Sequence, residues 1–158
     1  MFTVNHQTNR ISPVKTKRFS ELGFTERKHL QEWLAHEPSA LGEELLIIQK
    51  EFDGFDDTRE RLDLLALDKD GNLVIIENKL DDSGRDVVWQ ALKYASYCAS
   101  LTKAQIVDIY QQYLDRYEPV TREVDLLNAP ASASARICEF LDAPDLDEAA
   151  KVAAGGIF

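Results

Sequence analysis

Two β-type runs dominate the pattern of apolar and polar positions, residues 61–67 (RLDLLAL) and 73–80 (LVIIENKL), separated by the turn-rich DKDGN segment. Short apolar runs bounded by Asp, Asn and Gly predict an antiparallel hairpin. Upstream, LLIIQKEF over 45–52 predicts a further strand, although 41–46 can also be read as a continuing helix. Helical spacing of Leu30, Trp33 and Leu34 predicts a helix that starts near Thr25 and stops at Pro38. Thr25 is its expected N-cap, but Lys28 stands where Glu would complete a capping box. After the hairpin, Val87, Ala91, Tyr94 and Cys98 form one stripe of a helix over 83–99, and a second helix is expected over 103–117, ended by Pro119. Beyond it the pattern thins to a loop, NAPASAS, with short helical pieces around Ile137 and Ala149. The alanine- and serine-rich 131–135 reads as a linker, and 124–127 is the one thin strand candidate in this region.

These elements divide the chain into an extended N-terminal segment (1–24), a core (25–118) and a tail of linker and short helices (119–158). At 158 residues, 44% apolar and 29% charged, the chain has the size and composition of a single globular domain. No apolar run is long enough to span a bilayer. Two cysteines, Cys98 and Cys138, make neither a disulfide framework nor a CxxC zinc site, so a reduced cytoplasmic setting is expected. A net charge of −10 counts against a broad grip on nucleic acid, although Arg10, Lys15, Lys17, Arg18, Arg27 and Lys28 cluster early and the acids after Glu139 lie late.

The hairpin register decides which side chains meet. A three-residue loop of Lys69, Asp70 and Gly71, with Gly in the left-handed conformation, pairs Asp68 with Asn72 and Leu67 with Leu73. Counting outward, Asp63 lies opposite Glu77, at the ~4.5–5.5 Å Cβ separation of cross-strand neighbours. The strand period of two puts Lys79 on the face of Glu77, and Asn78 on the other. Opposed carboxylates repel, and a hard divalent cation with oxygen ligands relieves that repulsion. Lys79 beside such an ion can orient or deprotonate a water, or offset charge developing on a phosphoryl group. The same spacing equally fits a solvated network in which Lys79 and Arg61 neutralise the acids. Leu65, Leu67, Leu73 and Ile75 share the face of Asp63, which favours a covered site over a solvated one.

Asp63, then Glu77-Asn78-Lys79 with Glu77 fourteen residues after Asp63, then Gln90 and Tyr94, resembles the PD-(D/E)XK nuclease superfamily. The branch it is most similar to carries QxxxY on the helix after the hairpin, as in NucS-type and related nuclease-like domains. The likeness covers residues 25–99 and implies an α/β, restriction-endonuclease-like core: a helix, an antiparallel three-strand unit with the catalytic hairpin, and the QxxxY helix. It implies that Asp63 and Glu77 bind Mg2+ or Mn2+, that Lys79 is the catalytic lysine, and that Gln90 and Tyr94 face the site. It also implies a glutamate on the preceding helix, for which Glu26 is the first choice and Glu32, Glu43 and Glu44 are alternatives. The implied activity is metal-dependent hydrolysis of phosphodiester bonds in DNA. The alternative is an inactive module of the same fold that binds nucleic acid or a protein, and a homodimer is allowed. Two departures stand out. Asn78 occupies a position that is usually apolar, and no further strand after the QxxxY helix is evident. With the GGIF ending, the latter reads as a truncated core followed by a helical C-terminal part.

Other motifs fail on spacing. In DKDGN the glycine is fourth rather than sixth and no Glu follows at the twelfth position, so it is a turn and not a calcium loop. His6, His29 and His36 lack zinc spacing, and His29 and His36 are expected on a helix surface. Trp33 and Trp89 are expected as core anchors.

Overall fold

A computed structural model describes residues 1–54, 61–80, 86–118 and 132–146. The sequence expectations at Ser83, 124–127, Ala149 and the GGIF end lie outside the described residues. The fold is mixed α/β. Three antiparallel strands, β3 (Leu45–Phe52), β4 (Leu62–Asp68) and β5 (Leu73–Ile76), form a sheet in the order β3-β4-β5. Among the described residues four α-helices accompany it: α1 (Gln31–His36), α2 (Val87–Cys98), α3 (Lys103–Tyr117) and α4 (Ala133–Phe140).

β4 is the central strand and is covered on both faces. Leu65 and Leu67 pack in one cluster with Tyr94 and Cys98 of α2, Tyr110 and Leu114 of α3, and Ala133 and Ile137 of α4. Leu64 and Ala66 pack on the other face with Ile47, Leu34 and Ala35. A strand buried on both sides needs a near-continuous apolar run, which is what LDLLAL supplies. The hairpin register is Leu64↔Ile76, Leu65↔Ile75, Ala66↔Val74 and Leu67↔Leu73, as the sequence count predicts; the ladder ends there, one step short of Asp63 and Glu77. Its turn is fixed by Gly71 at φ 76° and by the Asp68 carboxylate, which accepts from the N–H of Asp70 (2.9 Å), the N–H of Asn72 (2.8 Å) and the Asn72 amide (2.9 Å). In this left-handed position glycine avoids the Cβ clash that other residues meet.

Around this hairpin several elements differ from expectation. β3 starts at Leu45 after a single 3-10 turn, Pro38–Leu41, rather than continuing a helix. The helix from Thr25 opens as a wide π-type turn, Glu26–Leu30, with Leu30 N–H reaching the Thr25 carbonyl at 3.3 Å. His29 supplies what the incomplete capping box lacks, because its Nδ1 accepts the Thr25 N–H at 3.0 Å. The second helix is capped by a reciprocal Thr102–Gln105 box. Residues 133–135, expected as linker, open α4 behind an N-cap at Ser132, with Ala133 fully buried. The N-terminal segment is extended but paired: β1 (Phe2–Asn5) and β2 (Arg10–Pro13) form a separate two-stranded hairpin. Trp89 is 73% exposed, not a core anchor, and Trp33 sits in a surface cluster of aromatic rings with Phe19, Phe24 and His29. Among the described residues no helix is long and apolar enough to cross a membrane.

Truncating Leu65, fully buried between β4 and α2, leaves a cavity in the main cluster. Leu65→Ala is expected to destabilise the fold by about 2–5 kcal/mol in urea-induced unfolding.

Candidate functional site

The site forms where the hairpin stops being a regular ladder. Residues 73–80 were expected to continue as strand, yet β5 ends at Ile76. Two carboxylates take the backbone donors that a longer strand would use. Asp63 Oδ2 accepts the Asn78 N–H at 2.8 Å, and Glu26 Oε1 accepts the Leu80 N–H at 2.7 Å. Glu77-Asn78-Lys79 is therefore pinned from two sides, by β4 and by the first turn of the helical segment before α1. These ties bring Glu26 into the group. The other candidates lie elsewhere: Glu32 pairs with Lys50 at 2.8 Å, and Glu43 and Glu44 are exposed ahead of β3. Leu45 pairs with Asp68, so β3 begins at the turn end of the hairpin, away from Asp63.

Lys79 Nζ donates to Glu77 Oε1 at 2.8 Å, although strand alternation no longer applies there. The Glu77 side chain is only 7% exposed, and its second oxygen, Oε2, is buried with no hydrogen-bond partner among the described residues. Burial raises the Asp63 carboxyl above its ordinary range; the Asn78 N–H opposes the rise, and the nearby charge of Glu77 adds to it. For Lys79, burial acts to lower the ammonium pKa. The hydrogen bond and charge of Glu77, with Asp63 and Glu26, outweigh it and raise the value above the usual lysine range. Lys79 is thus a cation at neutral pH, better suited to offsetting negative charge than to removing a proton from water.

Charge does not balance in this group. Among the described residues Glu26, Asp63 and Glu77 set three carboxylates against the ammonium of Lys79. Arg61, which a neutralised network would recruit, is engaged elsewhere: it pairs with Glu51 at 3.1 Å and with Asp53 at 3.8 Å. Glu51 lies across β4 from Asp63, between the pairs Lys50↔Leu64 and Phe52↔Leu62, in a left-handed conformation (φ 51°). Its carboxylate is held by Arg27 (3.0 Å) and Arg61. Non-glycine residues adopt this conformation at a cost.

The donor set fits a hard divalent cation. Such an ion needs only one or two protein carboxylates beside water and substrate oxygens, and the orphaned Glu77 oxygen is an acceptor awaiting a positive partner. Among the described residues no three His, Cys, Asp or Glu side chains form a group that could hold a metal ion.

Gln90 is half-buried on α2, one turn before Tyr94. Tyr94 itself is a core residue rather than a group in an open cleft. Its hydroxyl donates to the Arg61 carbonyl at 3.1 Å and steadies the chain two residues before Asp63. Asn78 keeps its polar side chain buried, and its Nδ2 has no hydrogen-bond partner among the described residues. The backbone donors of Asn78 and Leu80 were not legible from residue types, because a main-chain N–H leaves no mark in them. Cys98, buried with its thiol pushed up to about 11, is an inert core residue. No family model matches the chain, and no curated protein or solved structure matches it.

The Asp63 shift has a definite sign. Between the ordinary value of 3.8 and the raised one, the folded chain holds more protons than the unfolded chain. Stability therefore falls as pH rises through that window and stays lower above it. Asp63→Asn keeps an acceptor for the Asn78 N–H and removes the charge. Its Tm without divalent ions is expected to exceed that of the unaltered chain at neutral pH, with the difference vanishing below pH 3.8. A lower Tm at neutral pH would show that the charge is stabilised rather than strained. Tyr94→Phe, which deletes one hydrogen bond to the Arg61 carbonyl, is expected to cost about 0.5–1.5 kcal/mol in the same melts.

Proposed function

We propose that this chain is a metal-dependent nuclease that hydrolyses phosphodiester bonds in DNA, built on a restriction-endonuclease-like core. The observation that carries the reading is the buried Oε2 of Glu77, without a hydrogen-bond partner among the described residues, in the segment that Asp63 and Lys79 bond at the end of the hairpin. The order of elements supports it as well: a helical segment bearing Glu26, the three-strand unit bearing Asp63 and Glu77-Asn78-Lys79, then α2 bearing Gln90 and Tyr94. That is the order implied by the resemblance of these residues to the PD-(D/E)XK superfamily.

Asp63 and Glu77 would hold Mg2+ or Mn2+, which supplies a Lewis acid and an acidified water when bound. The remaining work belongs to the chain. Glu26 and Asp63 fix the backbone of the Glu77–Lys79 segment through Leu80 and Asn78, so the carboxylates keep their spacing. Lys79, held protonated, would offset negative charge developing on the phosphoryl group. Gln90, half-buried on α2, would hold substrate or an attacking water.

A second reading is an inactive module of the same fold that binds nucleic acid or a protein. The closed Lys79–Glu77 ion pair favours it, since a satisfied pair is also what a purely structural network contains. Incubation with single-stranded, duplex and branched DNA in Mg2+ or Mn2+ separates the two. Cleavage is expected with either ion and not with chelator. Asp63→Ala, Glu77→Ala and Lys79→Ala are each expected to lose about 10²–10³-fold in rate while remaining folded. Binding without turnover under every metal would instead establish the module.

A further inference from the structure

The N-terminal hairpin and one side of α2 each present an apolar face that the chain leaves uncovered. In β1–β2 the register sets Phe2 against Pro13 and Val4 against Ile11, while Thr3 faces Ser12 and Asn5 faces Arg10. One side of this ribbon is therefore apolar and the other polar, yet every residue of both strands is exposed. An isolated two-stranded hairpin is marginal in water and gains its stability from packing. On α2 the buried stripe runs through Tyr94 and Cys98, and the opposite side carries Val88, Trp89 and Leu92, each more than half exposed.

We propose that these two faces cover each other between two copies of the chain, the hairpin of one lying on α2 of its partner in a reciprocal, two-fold exchange. Charge selects this occupant. The first 20 residues contain Arg10, Lys15, Lys17 and Arg18 and no acid; with −10 on the whole chain, the remainder carries −14. A cationic arm on a strongly anionic body is complementary to a second such body. The arm has reach for this: residues 14–18 carry no regular structure and join it to Phe19, whose ring packs with Phe24 and Trp33. Five extended residues span up to about 17 Å. The basic residues alone would also suit nucleic acid, but phosphates cover neither Phe2, Val4 and Ile11 nor the Val88, Trp89 and Leu92 face. An isologous exchange buries both faces twice with a single kind of contact. It would also set each partner's arm on the helix that carries Gln90, beside the candidate site. The inference does not depend on that site being active.

The test is the mass of the full chain by light scattering at micromolar concentration, at low and at high salt. The unaltered chain is expected at twice the single-chain mass, and the dimer is expected to weaken in high salt. Val4→Asp on the arm and Trp89→Asp on the helix are each expected to give the single-chain mass with unchanged circular dichroism. Mixing the two variants leaves one intact arm–helix contact and is expected to restore part of the dimer. A single-chain mass for the unaltered protein overturns the proposal in either of two ways. If Trp89 emission then shifts in Val4→Asp, the arm lies on its own helix; if only duplex DNA binding is lost in Val4→Asp, the arm is a nucleic-acid contact. A dimer that both variants leave intact overturns it too.

Discussion

The carboxylate of Asp68 and the left-handed Gly71 together set the parity of the β4–β5 ribbon, and the position of the candidate site follows from that parity. Three hydrogen bonds to Asp68 hold a three-residue loop closed, so Leu67 meets Leu73 and every pair outward is determined. A loop one residue longer or shorter would shift the register that ends at Leu64↔Ile76 and so change where the Glu77–Lys79 segment leaves the sheet beside Asp63. The same parity sends Leu65 and Leu67 into the cluster with α2, α3 and α4, so core packing and site geometry are enforced by one turn.

At the far end of the ribbon the carboxylates have two competing demands. Asp63 and Glu26 accept backbone N–H groups and thereby stop β5 at Ile76, a structural task for which hydrogen bonding to the charged form is favourable. Their proximity to each other and to buried Glu77 is unfavourable, and Lys79 relieves only part of it. Such a group stays together because the surrounding sheet and helices determine its position. A local excess of buried negative charge is a feature of sites that bind cations, and it is also a source of instability when no cation is bound.

Much of this was legible in the sequence, and the residues show why. The hairpin register could be read because Gly71 dictates the turn, and the 103–117 helix because its apolar period and Pro119 are unambiguous. The stripe of Val87, Ala91, Tyr94 and Cys98 gave the buried side of α2 correctly, with Tyr94 and Cys98 fully buried. That stripe already placed Trp89 on the opposite side; assigning it to the core by residue type ignored its position. The short strands β1 and β2 were missed because alternation over only four residues each, Phe2–Asn5 and Arg10–Pro13, is too brief to stand out from an irregular extended segment. The premature end of β5 was invisible for a different reason: side-chain oxygens outcompete a strand partner for two main-chain donors, and IIENKL reads as strand either way. His29 was expected as a surface residue; it is on the surface, and its ring nitrogen completes the helix start.

The central claim is that Asp63 and Glu77 share one cation over the end of the hairpin. Anomalous scattering from a crystal soaked in Mn2+ tests this without reference to activity. The account expects a peak about 2.0–2.2 Å from an oxygen of each carboxylate, with the Lys79 ammonium moved off Glu77. An intact Lys79–Glu77 pair with no peak between the two acids, at a concentration that fills other carboxylate sites, would contradict it.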